Sequence, residues 1–432
     1  MAQKPIREYD VKRLFNQERK NYFSDFSFEF KSVLVSSSQT LTEAKKKNKW
    51  LSKEALVAKP DMLFGKRGIN DLVLYKDKKP GDVSVEFADK WIKKKSKGIT
   101  KLKSGESGRL THFIVEPFIP HQSDEEYYIA ATSVGLDDVL YLSAAGGVEI
   151  EENWDEKVVE IHIPIGADDE QIKKIVTKGI PAEITGDKRV VFGKFAGQFY
   201  KFYRDLHFAY LEINPIVIQG DQIFLLDSVA RMDDTADFLM HKRWEGLQFP
   251  TSFGMDKKCP EVVAIENADH ESGASLKLTV LNSKGRVWTL VAGGGASVVY
   301  ADTIANMCSI EELANYGEYS GGPTTDETRF YATTLFELMT REKHLKGKIL
   351  IIGGAIANFT DVAKTFEGII QAMDKYQDKL KEHGVKIYVR RGGPNYKEGL
   401  KNIESAAKKF GLYIEAYGPE THITDIVKMA LS

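Results

Sequence analysis

Residues 211–227 read LEINPIVIQGDQIFLLD, two runs rich in branched aliphatic side chains on either side of Gly220 and Asp221. A Gly-Asp pair between such runs signals a hairpin, because a two-residue turn between antiparallel strands needs left-handed backbone. Counting outward from the turn places Asn214 opposite Asp227, and cross-strand partners on one face have Cβ atoms ~5 Å apart. An amide oxygen beside a carboxylate suits a hard cation such as Mg²⁺, which takes one or two protein ligands and fills its octahedron with water and phosphate oxygens. A plain hairpin with two solvated polar residues fits the same spacing.

Around this hairpin the first half mixes short strands and helices. LVAKP and FIVEPFIP read as strands, and Val83–Lys95 and Arg189–His207 as helices. Phe192, Phe195, Phe199 and Phe202 recur at three- and four-residue spacing, the stripe of a helix that faces a core. Glu245–Gly273 holds Pro250, Gly254 and Pro260 with little periodicity and reads as a boundary, giving domains 1–245 and 246–432. Beyond it strands and helices alternate regularly, the pattern of a parallel, doubly wound α/β sheet whose ligands sit past the C-terminal strand ends.

Several segments could carry chemistry. Lys59 ends an apolar strand and precedes Gly65-Lys66-Arg67-Gly68, so a lysine and a basic turn could hold polyphosphate, although no GxxxxGK[ST] loop is present. In FIVEPFIP, Glu116 interrupts an apolar strand and Pro117 ends its regularity, leaving backbone free for a flat base; Glu126 could accept from ribose hydroxyls. AGGGAS joins a strand to a helix and favours an anion, since glycines allow close backbone approach and helix N-termini attract negative charge. GGAIANFTD adds Asn358 and Thr360, and YVRRGGPNY sets Arg390 and Arg391 past a strand end, where an arginine fork could bind a carboxylate. Three such loops at one edge suit a substrate with several carboxylates, while each alone is also an ordinary βα turn.

Composition narrows the classes. Sixty Lys+Arg against sixty-two Asp+Glu leave a net charge of −2, which provides no global field for a polyanion such as nucleic acid. The two cysteines, Cys259 and Cys308, form no CxxC pair and no four-ligand zinc site, as expected in a reducing cytosol. The charged N-terminus MAQKPIREYDVKRLFN is unlike a signal peptide, and the apolar stretches are broken by glycines, so a cytoplasmic location is expected. No histidine has metal-ligand spacing and no GxSxG occurs. The lysine-rich run Lys93–Lys103 (KKKSKGITKLK) reads as a solvated loop.

The strings LEINPIVI, SGASLKLTVLNSKGRVWTLVAGGGASVVYADTI, ELANYGEYSGGP, GKILIIGGAIANFTDVA and VRRGGPNYKEGL together resemble the N-terminal region, or small subunit, of the ATP-citrate lyase family, within the succinyl-CoA synthetase β-chain superfamily. The resemblance runs from about Lys53 to the C-terminus. It implies an ATP-grasp domain of two α+β lobes followed by a flavodoxin-like citrate domain. By matching motif, it implies ATP contacts at Lys59, Arg67, Gly68, Glu116, Pro117, Ile119 and Glu126, and Mg²⁺ ligands at Asn214 and Asp227. A further metal-associated stretch would include Asp269, Ser272 and Ala274. Citrate would meet Gly294, Gly295, Ala296, Ser297, Gly321, Asn358, Thr360, Tyr376 and Arg391. The family's GHAGA-like phosphohistidine loop and citrate-synthase-like cleavage domain have no counterpart here. A large partner subunit would therefore supply the histidine, the CoA site and the cleavage domain. The small chain of a citryl-CoA synthetase, a succinyl-CoA synthetase β chain and a citrate- or nucleotide-sensing subunit are the competing readings. Around Lys59 the string KPDMLFGKRGIND departs from the family pattern, and Lys97–Arg109 looks like an insertion.

Overall fold

The hairpin forms with the register counted from its turn. Ile216 pairs with Leu225, Ile218 with Ile223 and Gln219 with Gln222, and Gly220 takes a φ of 66°. Further from the turn the Asn214 N–H donates to the Asp227 carbonyl over 3.0 Å. The two strands are β10 (Phe208–Gln219) and β11 (Gln222–Leu225). The computed structural model describes residues 3–147, 150, 153–254 and 259–432.

β10 is central to a seven-stranded sheet ordered β1 (Gln3–Ile6), β12 (Ser228–Asp233), β10, β7 (Glu126–Val134), β8 (Asp137–Ser143), β9 (Val159–Pro164), with β11 on the far half of β10. All its pairings are antiparallel. The helices Glu8–Tyr22, Asp169–Gly179 and Gly186–Asp205 share one apolar core with it. The phenylalanine stripe lies there: Phe195 is fully buried among Phe15, Phe23, Phe26 and Phe199. A second, three-stranded antiparallel sheet, β2 (Val33–Val35), β6 (Phe113–Pro117), β3 (Leu56–Pro60), packs against helices Leu41–Lys47 and Val85–Lys95. Residues 97–109 hold a small hairpin, β4 (Thr100–Lys101) with β5 (Ser107–Gly108).

By contact density the chain divides after Asp256, within the stretch Glu245–Gly273, of which residues 255–258 lie outside the described residues. Part of that stretch, read from sequence as irregular, is the helix Pro260–Glu271. Pro260 starts it, a position where its missing N–H costs nothing.

The second unit carries a six-stranded sheet: β13 (Ser275–Val280), β15 (Asn315–Ser320), β14 (Val287–Ala292), β16 (Lys348–Gly354), β17 (Val385–Arg390), β18 (Tyr413–Tyr417). The last five strands, numbered from β14, run 2-1-3-4-5, the flavodoxin order. These five strands pair parallel, as expected of a doubly wound sheet, and β13 adds an antiparallel strand at the edge beside β15. β15 itself was not foreseen from ELANYGEYS, which lacks a β-branched run. It is a strand because Asn315, Gly317 and Tyr319 turn inward in alternation. Gly317 is needed there, as a Cβ would lie 2.7 Å from the Tyr331 hydroxyl.

Candidate functional site

In the first unit the two sheets meet at a cluster of charge. Lys59 comes from the end of β3, Arg67 from the loop after it, and Asp227 from the link between β11 and β12. Arg67 donates through Nη2 to Asp227 and through Nη1 to the Pro60 carbonyl at 2.9 Å. Lys59 Nζ donates to the Leu226 carbonyl at 2.6 Å and lies 4.0 Å from Asp227. Glu8, unrecognised in the sequence, sits between them. Its carboxylate reaches Lys12 at 2.6 Å, Lys59 at 2.8 Å and Arg67 at 2.8 Å. Burial alone would raise the Glu8 carboxyl, but Lys12, Lys59 and Arg67 together hold it well below the usual carboxylate range. Arg67 is raised despite burial, by Asp227 first and then Glu8.

Asp61, directly after β3, accepts from the Glu8 and Tyr9 backbone N–H groups at 2.9 and 3.1 Å, capping the helix that carries Glu8. Burial, then the Glu8 charge, raises its carboxyl to about 7. A cavity of about 460 Å³ borders this cluster, lined in part by Glu8, Asp61, Arg67, Ser228 and Arg231.

Asn214 and Asp227 occupy the cross-strand position counted from the turn. The Asn214 Oδ1 accepts from the Gly147 N–H at 2.6 Å, and the Asp227 side chain is 37% exposed. An amide oxygen and a reachable carboxylate are donor types that a hard divalent cation takes; here the Asn214 oxygen is engaged by the Gly147 N–H and one Asp227 oxygen by Arg67.

Glu116 does not offer its carboxylate to a ligand. Both oxygens accept from Lys12, at 2.8 and 2.6 Å, and one also from Ser32 at 2.5 Å. Glu116, Pro117 and Ile119 line a cavity of about 110 Å³ with Lys12, Ser32 and Leu226. A groove of about 810 Å³ shares the Phe28, Ile119 and Phe224 walls. Glu126 opens β7, is 2.8 Å from His121 Nε2, and faces Gly147, where a Cβ would be 3.1 Å from its Oε2. Glu126 and Asn214 thus converge on the Gly146-Gly147 loop, which the sequence reading passed over although its paired glycines follow a strand. A Cβ added at Gly68 would meet nothing within 4 Å, and its carbonyl accepts from the Asp71 N–H at 3.0 Å.

In the second unit, four of the sequence-derived segments follow strand ends on one edge. Gly294, Gly295, Ala296 and Ser297 begin the helix Gly294–Met307 after β14; Gly293, at φ 102°, makes the turn into it. The Ser297 hydroxyl is spent on the Gly317 carbonyl and the Ser297 N–H on the Gly293 carbonyl at 2.9 Å, so the backbone N–H groups this segment can offer are those before Ser297. Gly321 follows β15, Asn358 and Thr360 follow β16, and Arg391 follows β17. β14 and β16 flank the point where strand order reverses, the crevice where such sheets bind ligands. The loops after β16 and β17 are joined by an Ala357 N–H to Gly392 carbonyl bond of 2.9 Å. Arg391 is 4% exposed and donates to the Ala355 carbonyl. Desolvation lowers its pKa, and it has no carboxylate among its influences, only Tyr319, Tyr300 and Arg390. Gly354 makes room for it, since a Cβ there would be 2.9 Å from Cζ.

Tyr376 is not brought to this edge. It lies fourteen residues into the helix Val362–Glu382, about 21 Å along at 1.5 Å per residue, with its ring against Phe336 in the core. Asp269, Ser272 and Ala274 do sit together, and Ala274 lies beside Gly321, but their polar atoms are already partnered. Asp269 binds Lys277 and the Leu276 N–H, and Ser272 binds Glu327 while accepting from the Ala274 N–H. No group of three His, Cys, Asp or Glu side chains suited to a metal occurs among the described residues. Among these residues no helix is long and apolar enough to cross a membrane.

Comparison with known proteins follows this division. The sequence matches the profile "ATP-citrate synthase ATP-grasp domain" over residues 2–244 and "ATP citrate lyase citrate-binding" over 256–432. It is 43% identical to ATP-citrate synthase alpha chain protein 1 of Arabidopsis thaliana, covering all of this chain and 98% of that one. It is 44% identical to the ATP-citrate synthase of Mus musculus across 88% of this chain but only 34% of the relative, so the chain spans about a third of the mammalian enzyme. The structure of ATP citrate lyase from Methanothrix soehngenii in complex with citrate and coenzyme A superposes over the full length of both chains, with a TM-score of 0.88 and 45% identity.

Proposed function

Because this chain belongs to the ATP-citrate lyase family, we propose that it is the ATP- and citrate-binding chain of such an enzyme, working with a large partner subunit. The observation that carries this is the meeting of Lys59 and Arg67 from one sheet with Asp227 from the other, beside the Glu116–Ile119 cavity. Such a clamp suits a nucleoside triphosphate held between two lobes.

The residues divide the work. The Glu116–Ile119 strand would take the base through its backbone, because the Glu116 side chain is committed to Lys12 and Ser32. Glu126 would accept from the ribose. Lys59 and Arg67 would hold the transferring phosphoryl group, where positioned cations offset its charge. Asn214 and Asp227 would hold Mg²⁺, which when bound neutralises phosphate charge. The phosphoryl group would pass to a histidine of the partner and then to citrate. Citrate would lie on the amides of residues 294–296 with Arg391, Asn358 and Thr360, giving citryl phosphate. CoA, bound by the partner, would displace phosphate, and the partner would cleave citryl-CoA to acetyl-CoA and oxaloacetate. The domain division near residue 245 and a cytoplasmic location belong to the same proposal.

Purification with associated chains, then product analysis with ATP, citrate and CoA, tests it. Acetyl-CoA and oxaloacetate are expected. Citryl-CoA as end product would assign a citryl-CoA synthetase, and turnover of succinate in place of citrate a succinyl-CoA synthetase. Binding of ATP or citrate without turnover in any reconstituted complex would leave a sensing subunit.

A further inference from the structure

The charges between the two sheets of the first unit form one connected chain, Glu116–Lys12–Glu8–Arg67–Asp227, with Lys59 joined at Glu8. Glu8 is the branch point. Its Oε1 meets Lys12 and Lys59, and its Oε2 meets Arg67. Its side chain is 2% exposed, and both of its oxygens are spent on cations, so it serves those cations rather than a ligand.

Its backbone is fixed as well. Asp61 binds the Glu8 N–H at 2.9 Å, and Asp61 leaves the same strand end that carries Lys59. One strand end therefore sets both partners of the Lys59–Glu8 pair. A buried cation without an anion is costly, and breaking a buried pair from one side leaves that cost exposed. Among the described residues Lys59 has one further carboxylate near, Asp227, at 4.0 Å. On the proposed reading Asp227 turns to the metal, leaving Glu8 to hold the two cations in place.

We propose that Glu8 is a positioning residue for phosphate binding, setting Lys59 and Arg67 without meeting the nucleotide. This rests on the reading of Lys59 and Arg67 as phosphate contacts. Glu8→Gln preserves shape but exchanges one acceptor oxygen for an NH₂ that faces a cation. The effect belongs to the phosphates alone, so a phosphate-free ligand separates it from general loosening.

Calorimetric titration of the full chain with MgATP and with adenosine tests this. Glu8→Gln should weaken MgATP at least tenfold and leave adenosine within twofold. Equal losses for both ligands, the mark of a merely structural residue, or no loss for either, would overturn the proposal. If Glu8→Gln does not fold, Glu8→Asp retains the charge one methylene shorter and should show the same MgATP-selective loss, smaller in size; no selectivity there overturns it equally. Arg67→Ala separates the two levels of the argument. Loss of MgATP affinity in Arg67→Ala with full affinity in Glu8→Gln removes only the role of Glu8. Full affinity in both removes the clamp reading itself, and this inference with it.

Discussion

Gly354→Ala puts pressure on the residue assigned to the citrate carboxylates. Gly354 ends β16, and a Cβ there would overlap Arg391 Nη1 and lie 2.9 Å from Cζ and 3.0 Å from the Ala292 carbonyl oxygen. The arginine has little room to yield: it is 4% exposed and bound to the Ala355 carbonyl. Nor can the strand, since Ala292 pairs with Gly354 across the parallel ladder. Overpacking of this kind costs ~1–3 kcal/mol. In a unit of this size each kcal/mol lowers Tm by about 2–4 °C, so a fall of roughly 2–12 °C is expected. The displaced guanidinium also loses a charge-assisted hydrogen bond to the ligand, worth about 1.5–3 kcal/mol, which corresponds to citrate binding about 10–150-fold weaker. Calorimetric titration with citrate and with MgATP reads the two sites separately, and MgATP affinity should stay within twofold. Gly368→Ala is the control. It presses on the Thr325 carbonyl and the Arg329 N–H in the neighbouring helix, so it should lower Tm without weakening citrate. Unchanged citrate affinity in Gly354→Ala, with Tm lowered as expected, would refute Arg391 as the anion ligand.

Asp227→Ala should abolish Mg²⁺-dependent phosphorylation of the partner histidine, read by radiolabel from ATP; normal transfer would remove the metal role. Asp61→Asn should change the pH dependence of stability. Burial and then Glu8 raise Asp61 from its ordinary 3.8 to about 7, so the folded state keeps a proton the unfolded chain has released. That stability is fully present below about 3.8 and lost as pH rises through about 7. Chemical denaturation at pH 5 and 8 should show a smaller decline in the variant than in the wild type, and equal declines would refute the assignment. Phe195→Ala removes a fully buried ring from the aromatic cluster and should cost about 3–5 kcal/mol, measured by denaturant titration, with MgATP affinity of the folded fraction unchanged.

What sequence could reveal depended on how local the cause was. The Gly220 hairpin was legible to the residue, because turn chemistry and a period of two set the register without help from the rest of the fold. The loops after β14, β16 and β17 were legible for a similar reason, glycines and arginines standing where apolar runs stop. β15 was not, since what a Cβ at its inward Gly317 would strike, the Lys277 carbonyl of β13 and the Tyr331 hydroxyl bound to it, belongs to other elements of the chain. Glu8 and Lys12 were not either. In REYDVKRLFN they look like an ordinary charged helix face, and only the Glu116, Lys59 and Arg67 partners, 51 to 104 residues away, make them interior. Tyr376 shows the converse: motif matching placed it with citrate, whereas helical rise carries it down into the core.

The two sites differ in how their cations are balanced, and that difference bears on how they would work. In the first unit Lys59 and Arg67 already have anions, Glu8 and Asp227, before any ligand arrives. A triphosphate gains there only if it replaces Asp227 at Arg67, and the carboxylate so released is the one placed beside Asn214 for a cation. Nucleotide and metal should therefore bind with positive coupling, because each frees or satisfies the group the other needs. In the second unit Arg391 has a carbonyl and tyrosines around it and a pKa lowered chiefly by desolvation. An incoming carboxylate displaces no resident anion and supplies the charge the guanidinium lacks, so citrate should bind there without a companion ion. Titrating citrate with and without Mg²⁺ should give the same affinity, while ATP should bind markedly more weakly when Mg²⁺ is withheld.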